Sequence, residues 1–302
     1  MTDAIFLKNV NKTFGATKAV TGLDLAIPRG ALYGFIGPNG AGKTTTIRMI
    51  MAILFPDSGE LSVLGHRSAL EAKSRIGYLP EERGVYRKMR VGPFLTFMAR
   101  LKGVPEADIP GRIRRGLARV GLADAERTRC EELSKGTQQK IQFIATIIHE
   151  PDLLILDEPF SGLDPVSSRV LREMVLEEHA RGATILFSTH VMPHAEELCD
   201  HVVMINKGVK VLDDPIADIR RRYDPRVIEF DPLDHDADLS PLSAVPDVEH
   251  VARTDGGQCT VVLREGASPA MAIPRLATAV APARIEIARP TLEEVFVKLV
   301  AA

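Results

Sequence analysis

"ALYGFIGPNGAGKTTTIRMI", residues 31–50, decides how this chain folds. Its first seven residues are an apolar run ending in glycine, the pattern of a buried strand. From Lys43 onward Ile47, Ile50, Met51 and Leu54 recur at i, i+3, i+4 and i+7, which predicts a helix over 43–54 with one buried face. Between them "GPNGAGKT" (37–44) fits G-x-x-x-x-G-K-[ST], in the strand-then-helix context that the motif requires. Glycine at 37, 40 and 42 lets the backbone wrap so that successive N–H groups point at phosphate oxygens, and the helix start adds its dipole. The predicted cradle is Gly37, Pro38, Asn39, Gly40, Ala41, Gly42, Lys43, Thr44 and Thr45. Lys43 would reach the β- and γ-phosphates of a triphosphate, Thr44 would offer its hydroxyl to Mg2+, and Thr45 would donate to phosphate. A plain glycine-rich turn is the competing reading, and the flanking strand and helix weigh against it.

The second half of such a site lies in "DLLILDEP" (152–159), a continuous apolar strand running into two acids. Asp157 at the strand end is placed to hold Mg2+ through water. Glu158 beside it is placed to act on an attacking water as general base. Adjacent acids are often only a solvated turn, but a phosphate cradle in the same chain favours the functional reading. "LSKGT" (133–137) precedes a helix with Ile141, Ile144, Ala145 and Ile148 on one face, so Ser134 stands where unpaired amides make an anion site.

Composition bounds the rest. The chain has 302 residues, 45% hydrophobic and 26% charged, the profile of a globular protein with room for one α/β domain and a smaller one. A net charge of −2 supplies no general basic field for nucleic acid or anionic lipid. The N-terminus lacks a basic-then-apolar leader pattern, and no run approaches 18 uninterrupted apolar residues. Cys130, Cys199 and Cys259 are odd in number and widely spaced, which argues against a disulfide framework and fits a reducing compartment. Cys199 and His201 lie near His190 and His194, but the intervals match no zinc spacing.

Two short N-terminal strands turn at Gly15; further strands are expected at 60–65, 75–80 and "ATILFSTH" (183–190), with a hairpin turning at Lys207–Gly208. Residues 85–125 read as helical, with turns at "VPEAD" and around Pro110, and another helix runs from about Pro165 to Arg181. Strands alternating with helices imply a parallel sheet covered on both faces. Beyond residue 220 the texture becomes rich in Asp and Pro and ends in a strand and a helix capped by Thr291 and Glu294. The expected domains are 1–220, with a helical subdomain at about 85–150, and 221–302.

"LSKGTQQ", "LLILDEP", "SGLD" (161–164) and "STH" (188–190), in this order after the phosphate loop, resemble the ATP-binding subunits of ATP-binding-cassette (ABC) transporters. The resemblance covers about residues 4–215. It implies an α/β P-loop NTPase core with an N-terminal antiparallel β region and a helical subdomain, followed by a small α+β C-terminal domain. It implies ATP and Mg2+ as cofactors and two copies clamped head to tail around two ATP molecules. Ser134 and Gly136 would then contact the γ-phosphate held by the partner's Lys43, Asp164 would join the two sites, and His190 would hold the γ-phosphate. Phe14 matches the aromatic that stacks on adenine; a core role is its alternative. A separate multi-helix membrane permease would take the motion through the surface from Glu81 to Phe94, with this chain cytoplasmic and peripheral on the membrane's inner face.

Two departures stand out. "YLPEERG" puts Glu81 where the family usually has glutamine as a metal ligand; a carboxylate is also a hard oxygen ligand. Lys135 and Thr137 replace the commoner glycine and glutamine, while Ser134 and Gly136 remain. Both variants, and the closing "PTLEEVF", are similar to a bacterial exporter branch that includes sodium-extrusion and drug-efflux ATPases. The rivals are a soluble regulatory ABC protein acting on ribosomes or nucleic acid, disfavoured by a single cassette without a long coiled-coil insertion, and a module that binds ATP without hydrolysing it. No nucleic-acid partner is expected. The basic runs at 112–119 and 219–226 read as solvated helix faces in preference to contacts with lipid headgroups or a partner.

Overall fold

The structure, a computed structural model, describes residues 3–82, 84–222, 226–234, 236–253, 259–288 and 291–301. Its elements in chain order are β1 (Ile5–Phe14), β2 (Thr17–Ile27), β3 (Leu32–Ile36), α1 (Lys43–Ile50), β4 (Ser58–Val63), β5 (Ile76–Leu79), α2 (Val91–Leu101), α3 (Ile109–Arg119) and α4 (Lys135–Ile147). There follow β6 (Leu153–Asp157), α5 (Pro165–Ala180), β7 (Thr184–Thr189), α6 (Met192–Leu198), β8 (His201–Asn206) and β9 (Val209–Pro215). The C-terminal part adds α7 (Ile216–Arg222), β10 (Val227–Pro232), α8 (Ser240–Ser243), β11 (Val248–Arg253), β12 (Cys259–Leu263), α9 (Pro269–Ala279), β13 (Pro282–Ile287) and α10 (Leu292–Ala301). Contacts divide the chain into two compact units, Met1–Ile216 and Ala217–Ala302.

In the first unit a six-stranded sheet runs β5-β6-β7-β3-β8-β9, parallel except for its antiparallel β9 edge. Every residue of β3, β6 and β7 is buried, as a parallel sheet covered on both faces demands. Register sets Ile36 beside Thr189, and Asp157 beside Ser188. The carboxyl ends of β3, β6 and β7 are therefore level, and the loops leaving them open on one edge of the sheet. A separate antiparallel sheet, β2-β1-β4, covers α1 with Leu7, Val10, Leu25 and Val63, all within one apolar cluster with Ile47 and Ile50.

Helices α2, α3 and α4 pack on one another between β5 and β6 in sequence. Gly116 of α3 allows this approach, because a Cβ there would stand 2.7 Å from Ile144 Cγ2 on α4. Pro110 lies in the first turn of α3, where its missing N–H has no intrahelical partner to lose. It begins a helix instead of marking a turn. Helix α1 stops at Ile50, short of the expected Leu54, because Ala52 adopts a left-handed φ of 55° and the N–H groups of Ile53 and Leu54 return to Arg48 O.

The C-terminal unit is an antiparallel sheet, β11-β12-β10-β13, whose Ile228, Phe230 and Val261 bury against Leu242 of α8 and Ala272 and Leu276 of α9. Helix α9 is absent from the sequence reading; Pro274 inside it interrupts the helical pattern. Thr291 and Glu294 form the reciprocal cap expected of them, with bonds of 2.9 and 3.2 Å.

Arg112 donates to Ile148 O and pairs with Glu150, and Arg119 pairs with Glu177, so these two arginines of the basic run 112–119 find partners within their own unit, while Arg114 and Arg115 are exposed. Of the 219–226 run, residues 223–225 lie outside the described residues. Cys199 is buried, its thiol pushed up by desolvation, and His201 stacks on Tyr33 and bonds Asp213. Among the described residues no histidine, cysteine and acid cluster has metal-holding geometry, and no helix is long and apolar enough to cross a membrane.

His149, just after α4, donates through Nε2 to Ile76 O at 3.2 Å while its Nδ1 is buried without a partner. Burial, reinforced by the Lys102 ammonium, pushes its imidazole down from 6.5 to about 4. The unfolded chain therefore takes up this proton at a pH where the native chain refuses it. The contribution to stability is present above about pH 6.5 and is lost as pH falls toward 4. In urea titrations the drop in unfolding free energy from pH 7 to pH 4.5 is expected to be smaller in His149→Gln, by about 2 kcal/mol.

Candidate functional site

Only glycine fits the bends of the loop between β3 and α1. A Cβ on Gly37 would stand 2.2 Å from Ile205 O, and one on Gly42, where φ is 108°, would stand 2.5 Å from Ala19 O. Gly42→Ala is expected to destabilise the chain by about 2 kcal/mol or more and to abolish nucleotide binding, read by thermal melting and by titration with a fluorescent nucleotide. The loop curls over Lys43, whose ammonium donates to Gly37 O at 2.7 Å and Pro38 O at 3.2 Å.

Residues 39–45 form one wall of a cavity of about 540 Å³. Thr17, Lys18 and Ala19 of β2 form a second wall, and Glu81, Glu158 and Lys207 complete it. The structure thus brings together the predicted cradle, Glu81 and Glu158. Lys18 and Lys207 escaped the sequence reading: Lys207 was legible only as the tip of a hairpin, and nothing in that pattern aims the tip at the cradle. Both add positive charge where a polyphosphate would lie.

Glu158 follows β6 with a left-handed φ of 50°, strained for a residue with a side chain. It is held on several sides. His190 Nδ1 lies 2.8 Å from its Oε1, Thr189 Oγ donates to its Oε2 at 3.2 Å, and Lys43 Nζ is 3.7 Å away. Burial lowers the Lys43 pKa, and the carboxylates of Glu158, Asp157 and Glu81 work against that shift. Asp157 accepts from Ser188 Oγ at 2.6 Å, and burial pushes its carboxyl up against the effect of this bond and of the Thr44 hydroxyl. Its Oδ2 is buried with no hydrogen bond. A buried oxygen without a partner, on a carboxylate beside the Thr44 hydroxyl of the cavity wall, suits a hard divalent cation such as Mg2+.

Phe14 is 48% exposed, so it is no core residue. It stands at the end of the β1–β2 hairpin, outside the cavity wall, with the Lys12 ammonium 5.5 Å from its ring centroid. Ser134, Gly136 and Asp164 also lie apart from the cavity lining. They meet one another instead. Ser134 caps α4, its hydroxyl accepting from Thr137 N at 3.2 Å, and Asp164 caps α5 by accepting from Ser167 N at 2.9 Å. A Cβ on Gly136 would be 3.2 Å from Ser167 Oγ and 3.6 Å from Asp164 Oδ2. Two helix starts are therefore side by side. Phe94, expected on a surface, is buried; Tyr86 and Phe97 are exposed beside it, with the Tyr86 ring against both.

Comparison with known proteins agrees with this architecture. Residues 20–161 match the ABC transporter family model, and residues 215–300 match the C-terminal domain of DrrA1-3-like ATP-binding proteins. The chain is 48% identical to the ABC transporter ATP-binding protein YhaQ of Bacillus subtilis over 217 residues, 72% of this chain and 73% of that protein. The chain belongs to the ABC transporter ATP-binding proteins. It is 40% identical to a second member, from Alkalihalophilus pseudofirmus, over 88% of this chain and 98% of that protein. Among other relatives is a Nod factor export ATP-binding protein I of Cupriavidus metallidurans, 35% identical over 70% of this chain and 71% of that protein. A solved ATP-binding subunit of an ABC transporter superposes with a TM-score of 0.68 at 31% identity, covering 73% of this chain and 93% of that one. As an ABC ATPase subunit the chain binds and hydrolyses ATP.

Proposed function

We propose that ATP is clamped between two copies of this chain arranged head to tail, and that its hydrolysis reopens them and drives a separate multi-helix membrane permease. The observation that carries this reading is the split between the lysine-lined cavity, with Glu158 in its wall, and the cluster of Ser134, Gly136 and Asp164, two complementary halves within one chain. Lys43 and the amides of residues 39–45 hold the phosphates, Lys18 and Lys207 add charge, and Phe14 stacks on the base. In the partner, the amides at the start of α4 face the γ-phosphate, and Asp164 lies across the joint. Glu158 takes the proton of the attacking water, and His190 holds Glu158 and the γ-phosphate. Thr44, Asp157 and Glu81 would hold Mg2+, which offsets phosphate charge when bound.

The domains follow as 1–220 for nucleotide and 221–302 as an accessory unit. Export is favoured by the likeness to the Nod factor export ATP-binding protein, and the chain would sit at the cytoplasmic face of its permease. A disulfide trap tests the arrangement: Asn39→Cys with Ser134→Cys should cross-link two copies with ATP and not without it. Cross-linking indifferent to ATP, or none at saturating ATP, would overturn the clamp. Recovery of a multi-helix protein with the chain from detergent-solubilised membranes tests the permease, and retention on ribosomes alone would contradict it.

A further inference from the structure

Helix α4 carries two glutamines on its buried side, Gln139 at 3% exposure and Gln142 at 5%. Three residues apart, they lie on one face of the helix. An amide buried among apolar residues is unfavourable unless its bonds are met, so each position calls for an explanation beyond packing. Both use their bonds on loop backbone. Gln139 Nε2 donates to Pro159 O at 3.2 Å, on the residue directly after Glu158. Gln142 Oε1 accepts from Gly84 N at 3.2 Å, and its Nε2 donates to Glu82 O at 3.4 Å, on the residue directly after Glu81. One helix therefore tethers both acid-bearing loops of the cavity. The same helix begins at Ser134, in the other half-site.

We propose that Gln139 and Gln142 are positioning residues that make Glu158 and Glu81 of one copy respond to the nucleotide held by the other. This rests on the head-to-tail reading given above. A helix moves as a rigid rod, so a displacement at Ser134 reaches Gln139 and Gln142, about 7 and 12 Å along the axis, with little loss. Glu158 is open to such adjustment. Its backbone is strained at a φ of 50°, and its position depends on bonds from Thr189, His190 and Lys43 on one side and on the loop held by Gln139 on the other. The partner's γ-phosphate, bound at the start of α4, would fix the helix and through it both loops. Each site would then fire only when its neighbour is filled. Neither glutamine lines the cavity, so nucleotide affinity should be indifferent to them.

The test uses the full chain and three variants: Gln139→Met, Gln142→Met and Ser134→Ala. Methionine keeps volume and unbranched shape while removing the tethers. Steady-state ATPase rates are measured against ATP concentration, with nucleotide binding measured separately. Both methionine variants are expected to bind ATP within about twofold of the parent, to lose about tenfold in kcat, and to show a Hill coefficient near 1 in place of a parent value approaching 2. Unchanged kcat and Hill coefficient in both would overturn the inference. If Ser134→Ala abolishes cooperativity while the methionine variants keep it, the tethers are wrong and the clamp stands. If Ser134→Ala keeps the parent's cooperativity, the clamp and the tethers fall together. A second measurement does not need the methionine variants to fold. Amide exchange at Gly84, whose N–H bonds Gln142, should with ATP bound be faster in Ser134→Ala than in the parent, and equal rates would overturn the inference.

Discussion

Glu158→Gln is expected to stop turnover while leaving ATP bound. The amide keeps the shape of the carboxylate and can still bond Thr189 and His190, which hold the present side chain at 3.2 and 2.8 Å. It cannot accept the proton of the attacking water. A positioned base contributes on the order of 10² to 10⁴ in rate, or about 3–5 kcal/mol of barrier. Removing the negative charge 3.7 Å from Lys43 also leaves that ammonium freer to hold phosphate, so affinity should be unchanged or higher. Phosphate release and nucleotide titration on the same sample separate the two effects. Hydrolysis near the parent rate would remove Glu158 from the role of base.

Lys43→Ala is the second large effect, and it should act on binding first. Lys43 is 6% exposed and has its ammonium held by Gly37 O and Pro38 O, aimed along the curl of the loop. A charged hydrogen bond to phosphate is worth about 1.5–3 kcal/mol, so a roughly 10- to 100-fold loss of ATP affinity is expected by calorimetric titration. Glu158 would lose its nearby cation but keep Thr189 and His190, so the fold should survive with a modest loss of stability. Undiminished affinity would mean that the phosphates lie elsewhere.

The parts of this molecule that were legible in its sequence are those where backbone geometry dictates residue type. Gly37 and Gly42 are closed against Ile205 O and Ala19 O, so the motif carries its own steric reason. The turn at Lys207–Gly208 shows in the left-handed φ values of 47° and 80° that its residues adopt. The run 153–157 reads as a buried strand because parallel strands are apolar throughout. That same uniformity hides strand order: nothing in "LLILD" says that β6 lies between β5 and β7. Long-range placement hides the rest. Lys207 reads as a turn and ends in the cavity wall, and Gln139 and Gln142, outside the apolar face by which that helix is recognised, are buried against two distant loops.

The clamp itself is tested most directly by the mass of the Glu158→Gln chain in solution, measured by light scattering with Mg2+ and ATP and without them. One chain's mass should double on adding ATP and return when ATP is removed, and Ser134→Arg in the same background should hold it at a single chain while ATP still binds. A protein that stays at one chain's mass with ATP bound, or doubles regardless of Ser134→Arg, would contradict a nucleotide shared between two copies.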